Sequence, residues 1–513
     1  MIINYKMNKI MIKYYKYLLL LFFVSAIISC DDTEKPYRLP SDEMQDIVLE
    51  PGMNLGGQVL LGGKPKEGVV VSDGFSVALT DANGIYQIAR RDSSRFIFVS
   101  VPAESEIPMA NGKPTFYYSI KSISLDKKIR RDFSLTTGTK KTQFELLALA
   151  DVQIGQSVEL SWLTLDEIPL IVEYATSIIK NKPVYGISVG DLVWDNMPYF
   201  QNYSEQIKRL GLPVFSVIGN HDHNQSITGN DMEAASDFED NMGPTYYSYN
   251  IGDCHFVVLD DVLYNDKNNY LSEITENQLN WLKKDLEHVS KDKLIILGTH
   301  IATKRRNRPN SSVTNNQALY DILSGYKVRI ISGHSHNNYT TTINDDIEEN
   351  TLGAVMGAFW NYYCNDGSPR GYAVYEINGN EITDWYYKGT DKERDYQMLL
   401  YPPGTVTSPA QYANDIIINI FSWHTTWTVN IYEDDVLKKT YEANKVPYGN
   451  IMMEDPTAVK LFKGDKLPVH RPSAEPEAYN DHMFTYTPSA AWKKVKVEAI
   501  TPYNKKYAEE ITK

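Results

Sequence analysis

Between residues 144 and 336, apolar segments typical of buried strands alternate with segments of helical periodicity, and this alternation restricts the fold more than any other feature. Strands that alternate with helices predict a layered α/β core. Five of the strands stop at a polar cluster, and strand ends followed by loops are where sheet proteins place reactive side chains. The predicted strands are 146–150, 185–189, 213–218, 254–259, 293–297 and 328–332, and the predicted helices are 163–180, 203–210, 275–289 and 316–323.

The polar clusters contain carboxylates, imidazoles and amides. They are Asp151-Val152-Gln153, Gly190-Asp191 with Asp195, Gly219-Asn220-His221-Asp222, Thr299-His300 and Gly333-His334-Ser335-His336. Because all of them follow strand carboxyl ends, we expect them to converge on one edge. Oxygen and nitrogen ligands without a thiolate suit Mn, Fe, Zn or Mg. This number of ligands is too large for one ordinary site and suits two metals that share a carboxylate.

The series Asp-x-Gln, Gly-Asp-x-x-x-Asp, Gly-Asn-His-Asp, Thr-His and Gly-His-x-His resembles the calcineurin-like metallophosphoesterase superfamily, over residues 142–390. The resemblance implies an α+β fold in which a four-layer αββα sandwich carries a dinuclear metal centre. It also implies that His221 acts on the substrate as general acid, with Asp222 or Asp195 orienting its imidazole. The implied metal ligands are Asp151, Gln153, Asp191 and His336 for the first ion, and the bridging Asp191 with Asn220, His300 and His334 for the second.

The expected reaction is hydrolysis of a phosphate ester by a metal-bridging hydroxide. A phosphodiester or a diphosphate is the first expected substrate, and a phosphomonoester or a phosphoprotein is the alternative within the same fold. Gln153 stands where most members of the superfamily carry His, so the first metal is expected to bind less tightly. Mn²⁺ is therefore the first expectation, with Fe, Zn or Mg as alternatives. The basic run Lys304 to Arg308 could bind a second phosphate, although a solvated loop is the ordinary interpretation.

Shorter strand-like segments flank this core on both sides. Residues 51–138 predict a small antiparallel β-sandwich that resembles the carboxypeptidase-regulatory domain. Residues 391–513 predict an all-β third domain. The two flanking all-β segments motivate a competing class of function, a non-catalytic surface lipoprotein that binds a glycan or an envelope polymer. Trp423 and Trp427 of the third domain could stack on sugars, although burial in the core is the favoured interpretation of both.

The first 30 residues predict a lipoprotein signal peptide and not a part of the fold. Lysines precede the apolar run Tyr17 to Ile28, which is too short to span a bilayer. The end of the run, Ile27-Ile28-Ser29-Cys30, resembles a lipobox. We therefore expect lipidation of Cys30, a tether over residues 31–50, and an exported protein anchored to a membrane on its periplasmic or outer-surface side. A plain secretory signal is the alternative.

The charge and the cysteine content exclude two other classes. A net charge of −14, from 51 basic and 65 acidic residues, argues against a nucleic-acid partner. It is compatible with an anionic substrate, because bound divalent metals reverse the local field. Cys254 and Cys364 are the cysteines that follow Cys30, and two cysteines in so long a chain are not a disulfide framework.

Overall fold

The computed structural model describes residues 47–267, 269–305, 308–446, 451–463 and 474–513. The predicted signal peptide and Cys30 lie outside these residues, as do Arg306 and Asn307 of the basic run. Within the described ranges, no helix has both the length and the apolar character needed to cross a bilayer.

The N-terminal region is built from short strands in two main sheets. The strands are β1 (Leu55–Leu61), β2 (Lys64–Pro65), β3 (Val70–Ser72), β4 (Val77–Leu79), β5 (Ile85–Ile88), β6 (Phe96–Val99), β7 (Met109–Ala110), β8 (Lys113–Pro114), β9 (Tyr117–Ser119), β10 (Ile129–Arg130) and β11 (Phe133–Leu135). One sheet centres on β1, and the other has the order β4-β3-β6-β9. Because β1 pairs in parallel with β10 and β11, the expectation of a purely antiparallel sandwich is wrong.

The central region contains two larger sheets and most of the helices. Its strands are β12 (Gln143–Leu149), β13 (Val184–Val189), β14 (Val214–Val217), β15 (Tyr247–Ile251), β16 (Cys254–Val258), β17 (Val262–Asp266), β18 (Asn269–Ser272), β19 (Leu294–Gly298), β20 (Lys327–Ser332), β21 (Tyr339–Thr342), β22 (Ile347–Thr351), β23 (Gly371–Asn378) and β24 (Glu381–Gly389). Its helices are α1 (Ser157–Trp162), a π-helical turn (Leu163–Glu167), α2 (Ile168–Ile179), α3 (Tyr199–Lys208), α4 (Asp231–Ala234), α5 (Ser236–Met242), α6 (Glu276–Leu286) and α7 (Asn316–Leu323).

These elements form the four-layer αββα sandwich that the sequence predicts. The first sheet has the order β14-β13-β12-β23-β24 and the second the order β15-β16-β19-β20-β22-β21. Strand β12 shows how one strand serves two layers, because successive side chains point to opposite faces. Leu146 and Ala148 pack in the core that the two sheets share. Leu147 and Leu149 pack on the opposite face against helix residues such as Ile171.

The C-terminal region adds two smaller sheets, with the orders β25-β26-β29 and β28-β27-β30-β31. The strands are β25 (Met398–Tyr401), β26 (Ile416–Ile420), β27 (Thr428–Glu433), β28 (Val436–Tyr441), β29 (Met483–Tyr486), β30 (Lys494–Ile500) and β31 (Lys506–Thr512). A short helix, α8 (Pro456–Phe462), interrupts the predicted all-β pattern. It begins where Asp455 accepts hydrogen bonds from the amides of Thr457 and Ala458, the usual N-cap arrangement.

The two tryptophans proposed as a sugar-binding surface lie in the core of this region. Trp423 is 1% exposed and Trp427 is 4% exposed, and both pack in the same apolar cluster as Phe484. Stacking on a glycan requires an exposed ring face, so the structure confirms the favoured interpretation of both tryptophans, burial in the core.

Candidate metal centre

The predicted site residues follow strands whose carboxyl ends meet at one edge of the sandwich. Strands β12, β13 and β14 are parallel in the first sheet, and β16, β19 and β20 are parallel in the second. Parallel strands end at the same edge, where their loops can approach one another. The chain therefore delivers Asp151, Asp191, Asn220, His300 and His334 to one place, although they are up to 183 residues apart in sequence.

Asp191 lies between two groups of side chains and is 1% exposed. Its Oδ1 accepts a hydrogen bond from the backbone amide of His221 at 2.9 Å and lies 3.3 Å from Nε2 of His300. Its Oδ2 accepts a hydrogen bond from the side-chain amide of Gln153 at 3.0 Å. A carboxylate placed in this way can contact both groups at once.

The group on one side of Asp191 contains two imidazoles and an amide. Nε2 of His300 lies 3.1 Å from Oδ1 of Asn220 and 3.2 Å from Nδ1 of His334. Ligand atoms of Asp191, His300 and His334 all lie within 4.8 Å of one another, a spacing that a single metal ion can bridge. Nδ1 of His300 donates to the carbonyl of Val189, which fixes the ring with Nε2 facing this group.

The group on the other side contains Asp151, Gln153 and His336. Nε2 of His336 lies 3.3 Å from Oδ1 of Asp151. Asp151 also accepts the backbone amide of His334 at 2.9 Å, which fixes the turn that carries His334 and His336 against the end of β12. The amide nitrogen of Gln153 faces Asp191, and a half-turn of this amide would present its oxygen to the same position.

The backbone at this edge is left-handed at six residues of the two groups and their neighbours. Non-glycine residues rarely adopt positive φ, and such strain concentrates at functional sites. The six residues are Asp151, Gln153, Asp191, Asp195, His334 and His336, with φ between 51° and 67°.

Two glycines allow the close approach that these turns require. A Cβ at Gly219 would lie 2.3 Å from Oδ1 of Asp191, and a Cβ at Gly333 would lie 2.5 Å from Oδ2 of Asp151. Both distances are shorter than a van der Waals contact, so any side chain at either position would displace a carboxylate of the site.

The electrostatics of the cluster are those of a buried anion surrounded by imidazoles. Burial disfavours the charged form of Asp191, but the neighbouring His300 and His221 hold its pKa well below the usual range. Burial alone would lower the pKa of His300, but Asp191 raises it to about 10. Burial and the adjacent His300 lower the pKa of His334 to about 3, so its ring is neutral and can act as a ligand.

The residues present fit two divalent cations. The donor set is oxygen- and nitrogen-based, with two carboxylates, two amides and three imidazoles, as dinuclear hydrolytic centres require. The buried Nδ1 of His336 has no hydrogen-bond partner among the described residues, although its Nε2 faces Asp151. The donors are Asp151, Asp191, Gln153, Asn220, His300, His334 and His336.

His221 lies beside this cluster and keeps part of its ring accessible. Its Nδ1 is 2.6 Å from Oδ1 of Asp195, and its side chain is 20% exposed. Trp194 stacks on the imidazole, with 3.7 Å between ring centroids. Asp195 also accepts hydrogen bonds from the side-chain amide of Gln225 and, at 3.5 Å, from the ammonium of Lys267.

The sequence left two candidates for the carboxylate that orients His221, and the structure places only Asp195 against the ring. Asp222 is fully buried, and its carboxylate accepts the backbone amides of Val193 and Gly219, each at 2.9 Å. Burial and the nearby Asp191 raise the pKa of Asp222 to about 7. Asp222 therefore closes the turn that carries Asn220 and does not touch the imidazole.

Two further residues at this edge differ from what the sequence indicated. Asp261 was missed, yet its carboxylate accepts the backbone amides of His300 at 3.1 Å and Ile301 at 2.9 Å. It is the third residue after the apolar strand β16, and a carboxylate soon after a buried strand is the same signal that marked the other clusters. His223 follows the cluster at residues 219–222 without belonging to the motif, so a surface position is the ordinary expectation for it. The structure instead buries it fully, with its ring stacked on that of Tyr264 at 4.7 Å between centroids.

The described part of the basic run is bound to the C-terminal region. Arg305 and Arg308 both contact the carboxylate of Glu477, at 2.6 and 2.7 Å. The same carboxylate accepts the side-chain amide of Asn337, the residue that follows His336. Glu477 therefore pairs with both arginines, although the side chain of Arg308 is 40% exposed and Lys304 of the same run is exposed.

Three family models match the chain in sequence order. The model for the N terminal of calcineurin-like phosphoesterase matches residues 53–138, that for calcineurin-like phosphoesterase matches residues 145–338, and that for its C terminal matches residues 349–507. The likeness of the first segment to a carboxypeptidase-regulatory domain stays a prediction. No curated protein sequence matches the chain.

Several solved structures are similar over about half of the chain. A dimetal phosphatase from Danio rerio is 14% identical with a TM-score of 0.34, over 49% of this chain and 98% of its own. GAP50, described as the anchor in the inner membrane complex of Plasmodium, is 18% identical with a TM-score of 0.34, over 50% of this chain and 88% of its own. The purple acid phosphatase PPD1 from yellow lupin (Lupinus luteus) seeds is 14% identical with a TM-score of 0.33, over 61% of this chain and 58% of its own. At these values, the similarity carries no inference about activity.

Proposed function

The chain belongs to the calcineurin-like phosphoesterase family, and on that basis we propose that the site formed at its converged strand ends catalyses hydrolysis of a phosphodiester or a diphosphate. As a member of this family, the protein is a metal-dependent hydrolase of phosphoric ester bonds. The observation that carries the finer proposal is the cluster of buried Asp191 and His300 with partly buried His334, beside a partly accessible His221.

The proposed metal ligands are the two groups on either side of Asp191. Two divalent ions, when bound, would neutralise charge on the phosphate and lower the pKa of a water molecule so that it can attack. Mn²⁺ is the first proposal, with Fe, Zn or Mg as alternatives, because the donors are oxygen and nitrogen atoms and Gln153 replaces an imidazole. The proposed ligands are Asp151, Gln153, Asp191 and His336 for one ion, and Asp191, Asn220, His300 and His334 for the other.

His221 is the proposed general acid for the leaving oxygen. Its Nδ1 faces Asp195, so the proton that can be transferred is the one on Nε2. Burial would lower the pKa of His221, but the carboxylates of Asp191 and Asp195 raise it overall, which favours the protonated ring that a general acid requires. Trp194 restricts the ring by stacking on one face, so Asp195 and Trp194 together fix the direction of proton transfer.

The charge around the site supports a diester or diphosphate over a phosphomonoester. A monoester dianion concentrates its charge on one phosphoryl group, and arginine forks commonly bind such groups in proteins. Within the residues that the structure describes, no arginine pairs with a proposed ligand or with His221, and Glu477 occupies Arg305 and Arg308. Phosphomonoesters and phosphoproteins remain the alternative substrates.

The proposal is tested with the purified protein, Mn²⁺ and two chromogenic esters. We expect kcat/KM for bis-p-nitrophenyl phosphate to exceed that for p-nitrophenyl phosphate by about tenfold. The exposed His288 provides a matched control, because His288→Ala should leave both values unchanged whereas His221→Ala should lower them. Preference for the monoester would favour the alternative substrates, and turnover of neither ester would contradict the proposal.

A membrane location is a separate proposal that rests on the leader sequence. We propose export and lipidation at Cys30, on the periplasmic or outer-surface side of a membrane, because a lipobox-like segment ends a short apolar run. Fractionation of cells that express the full chain tests it, with Cys30→Ser as the control. The wild-type protein should sediment with membranes and the variant should not, and equal distribution would contradict lipid anchoring.

A further inference from the structure

An exposed apolar row begins next to the metal centre. Helix α1 starts four residues after Gln153, and Val158, Trp162 and Leu165 follow one another at spacings of four and three residues. Such spacings place side chains on one face of a helix. Val158 is 57% exposed and Leu165 is 72% exposed. Single exposed apolar residues are ordinary, but a row of them is typical of a binding surface.

The helix geometry changes within this row. α1 continues into the π-helical turn Leu163–Glu167, and Leu165 lies inside that turn. Single π-helical turns inside helices are rare and are frequent at functional sites. The apolar row is therefore held in a backbone conformation that an ordinary surface helix does not need.

Tyr362 extends the row toward the loop that borders the metal centre. It is 54% exposed, and its ring centroid lies 5.5 Å from that of Trp162. The guanidinium of Arg370 lies 4.6 Å from the centroid of Tyr362 and is bound to buried Glu167 at 2.7 Å. Arg370 thus holds the two aromatic residues together from the protein side. We call Val158, Trp162, Leu165 and Tyr362 the apolar row from here on.

The same loop connects the apolar row to His221 through aromatic side chains. Phe359, three residues before Tyr362, lies 5.2 Å from the ring of His336 and 5.5 Å from that of Trp194, between ring centroids. Trp194 in turn stacks on His221. Phe359 and Trp194 are both partly exposed. The loop of residues 359–362 therefore places one aromatic ring beside His336 and another, that of Tyr362, against Trp162 of the outer helix.

The backbone under this aromatic surface is strained. Phe359 and Trp360 are consecutive residues with φ of 48° and 60°, where glycine would be favoured. Nε1 of Trp360 donates to the carbonyl of Gln153 at 3.0 Å, which locks the loop against the metal edge. Strain of this kind persists where the surrounding structure imposes it. Glycine would relieve this strain at Phe359, but it would remove the aromatic ring that lies beside His336.

We propose that the substrate is a phosphoester that carries an alkyl chain, and that the apolar row with Phe359 binds this chain while the phosphate lies at the metal centre. The proposal rests on the proposed function and names its substrate class. The position of the loop selects this occupant, because Phe359 contacts Trp194 and His336 beside the proposed ester site and Tyr362, three residues later, contacts Trp162 of the apolar row. A small polar ester would leave the apolar row in water.

Alkylphosphonates test the proposal without depending on which ester bond breaks. Butylphosphonate and octylphosphonate, each below its micelle concentration, are compared as inhibitors of bis-p-nitrophenyl phosphate hydrolysis with Mn²⁺. Each fully buried methylene contributes about fourfold in affinity, so partial burial of four should make octylphosphonate at least about tenfold the better inhibitor. In the double variant Val158→Ser, Leu165→Ser, this ratio should fall to about twofold or less.

A matched apolar pair elsewhere provides the control. Val436 and Leu437 are 55% and 51% exposed on β28 in the C-terminal region. The double variant Val436→Ser, Leu437→Ser should retain both the chain-length ratio and the turnover of the wild-type protein. A chain-length ratio near one in the wild-type protein would overturn the proposal.

Two other outcomes separate the competing explanations. If the apolar row is instead a membrane contact, the double variant Val158→Ser, Leu165→Ser should sediment less with phosphatidylglycerol vesicles. Its ratio of octylphosphonate to butylphosphonate inhibition would then stay at the wild-type value, and this result would also overturn the proposal. If bis-p-nitrophenyl phosphate is not hydrolysed, the proposed function fails. Calorimetric titration with the two phosphonates then tests the apolar row alone, and equal affinities would overturn it.

Discussion

Two of the histidine–aspartate pairs among the described residues have similar lengths but different surroundings. Nδ1 of His221 is 2.6 Å from Asp195, and Nε2 of His255 is 2.8 Å from Asp285. His221 and Asp195 both lie after strand ends, and their side chains are 20% and 14% exposed. His255 and Asp285 join β16 to α6, and their side chains are 2% and 1% exposed. The length of such a pair therefore does not identify a catalytic residue.

The neighbours of each pair explain the difference. Asp285 also accepts the hydroxyl of Ser248 at 2.9 Å, and Nδ1 of His255 lies 3.1 Å from the amide oxygen of Asn250. Both ring nitrogens of His255 thus contact protein groups. Among the described residues, no protein group is hydrogen-bonded to Nε2 of His221, so this atom is available to a substrate. The proposed catalytic pair thus leaves one ring nitrogen of its histidine free, whereas the buried pair uses both.

The largest expected effect on activity comes from substitution of Asp191. This carboxylate lies next to the first pair, and no such carboxylate is proposed as a metal ligand beside the second pair. Asp191→Asn removes the charge that both ligand groups share, and charge stabilisation by a dinuclear centre amounts to several kcal/mol. We expect kcat/KM for bis-p-nitrophenyl phosphate to fall about a thousandfold or more. The chemically identical change Asp285→Asn serves as the control, and similar losses in the two variants would contradict the assignment.

The next largest expected difference is between the kcat values of variants at the two histidines. A positioned general acid contributes about 100- to 10,000-fold to the rate, so His221→Asn should lower kcat by that factor. His255→Asn should change kcat by no more than about threefold, because its ring faces Asp285 and Asn250. Steady-state kinetics of both variants provide the measurement. An unchanged kcat in His221→Asn would remove this residue from the mechanism.

The pH dependence tests the role of Asp195. The pKa of His221 is raised overall, because Asp191 and Asp195 outweigh the opposing effect of burial. A general acid must be protonated, so activity is present below this raised pKa and is lost as the pH rises through it. Asp195→Asn removes part of the raising effect and should move the alkaline limb of the kcat profile to lower pH, with about a tenfold loss near neutral pH. A limb that stays in place would show that Asp195 does not act on His221.

The smallest expected effect concerns stability and distinguishes the second pair. Asp285→Asn leaves buried groups of His255 and Ser248 without their charged acceptor, which costs about 1–3 kcal/mol. Asp195 is closer to solvent, so Asp195→Asn should reduce the free energy of unfolding by less than about 1 kcal/mol. Urea denaturation of both metal-free variants measures the difference. Equal destabilisation would show that burial does not distinguish the pairs.

Much of the fold follows from periodicity, because buried strands and amphipathic helices have distinct patterns. Helix α7 spans Asn316–Leu323, as predicted, and α3 begins four residues before its predicted start. Strand β15 and the hairpin β17-β18 were not predicted. Their sequences mix tyrosines with asparagine and serine, and the aromatic side chains are buried by tertiary contacts that a local pattern does not contain.

The candidate site was predicted as a list of residues, but its internal contacts were not. The order of the clusters identifies which strand ends carry ligand-type side chains. Which carboxylate faces His221 depends on the left-handed turn at Asp195, with φ of 56°. The burial of His223 depends on Tyr264 in a hairpin 41 residues later in the chain. Neither contact has a local sequence signal, because both are set by how distant loops meet.

The metal content of the purified protein tests the central claim most directly. After reconstitution with Mn²⁺ and removal of free ions, mass spectrometry should find about two ions per chain in the wild-type protein and in Asp285→Asn, as a dinuclear site requires. Asp191→Asn should retain clearly less. No bound metal in the wild-type protein, or the same content in Asp191→Asn, would contradict a dinuclear centre at the converged strand ends.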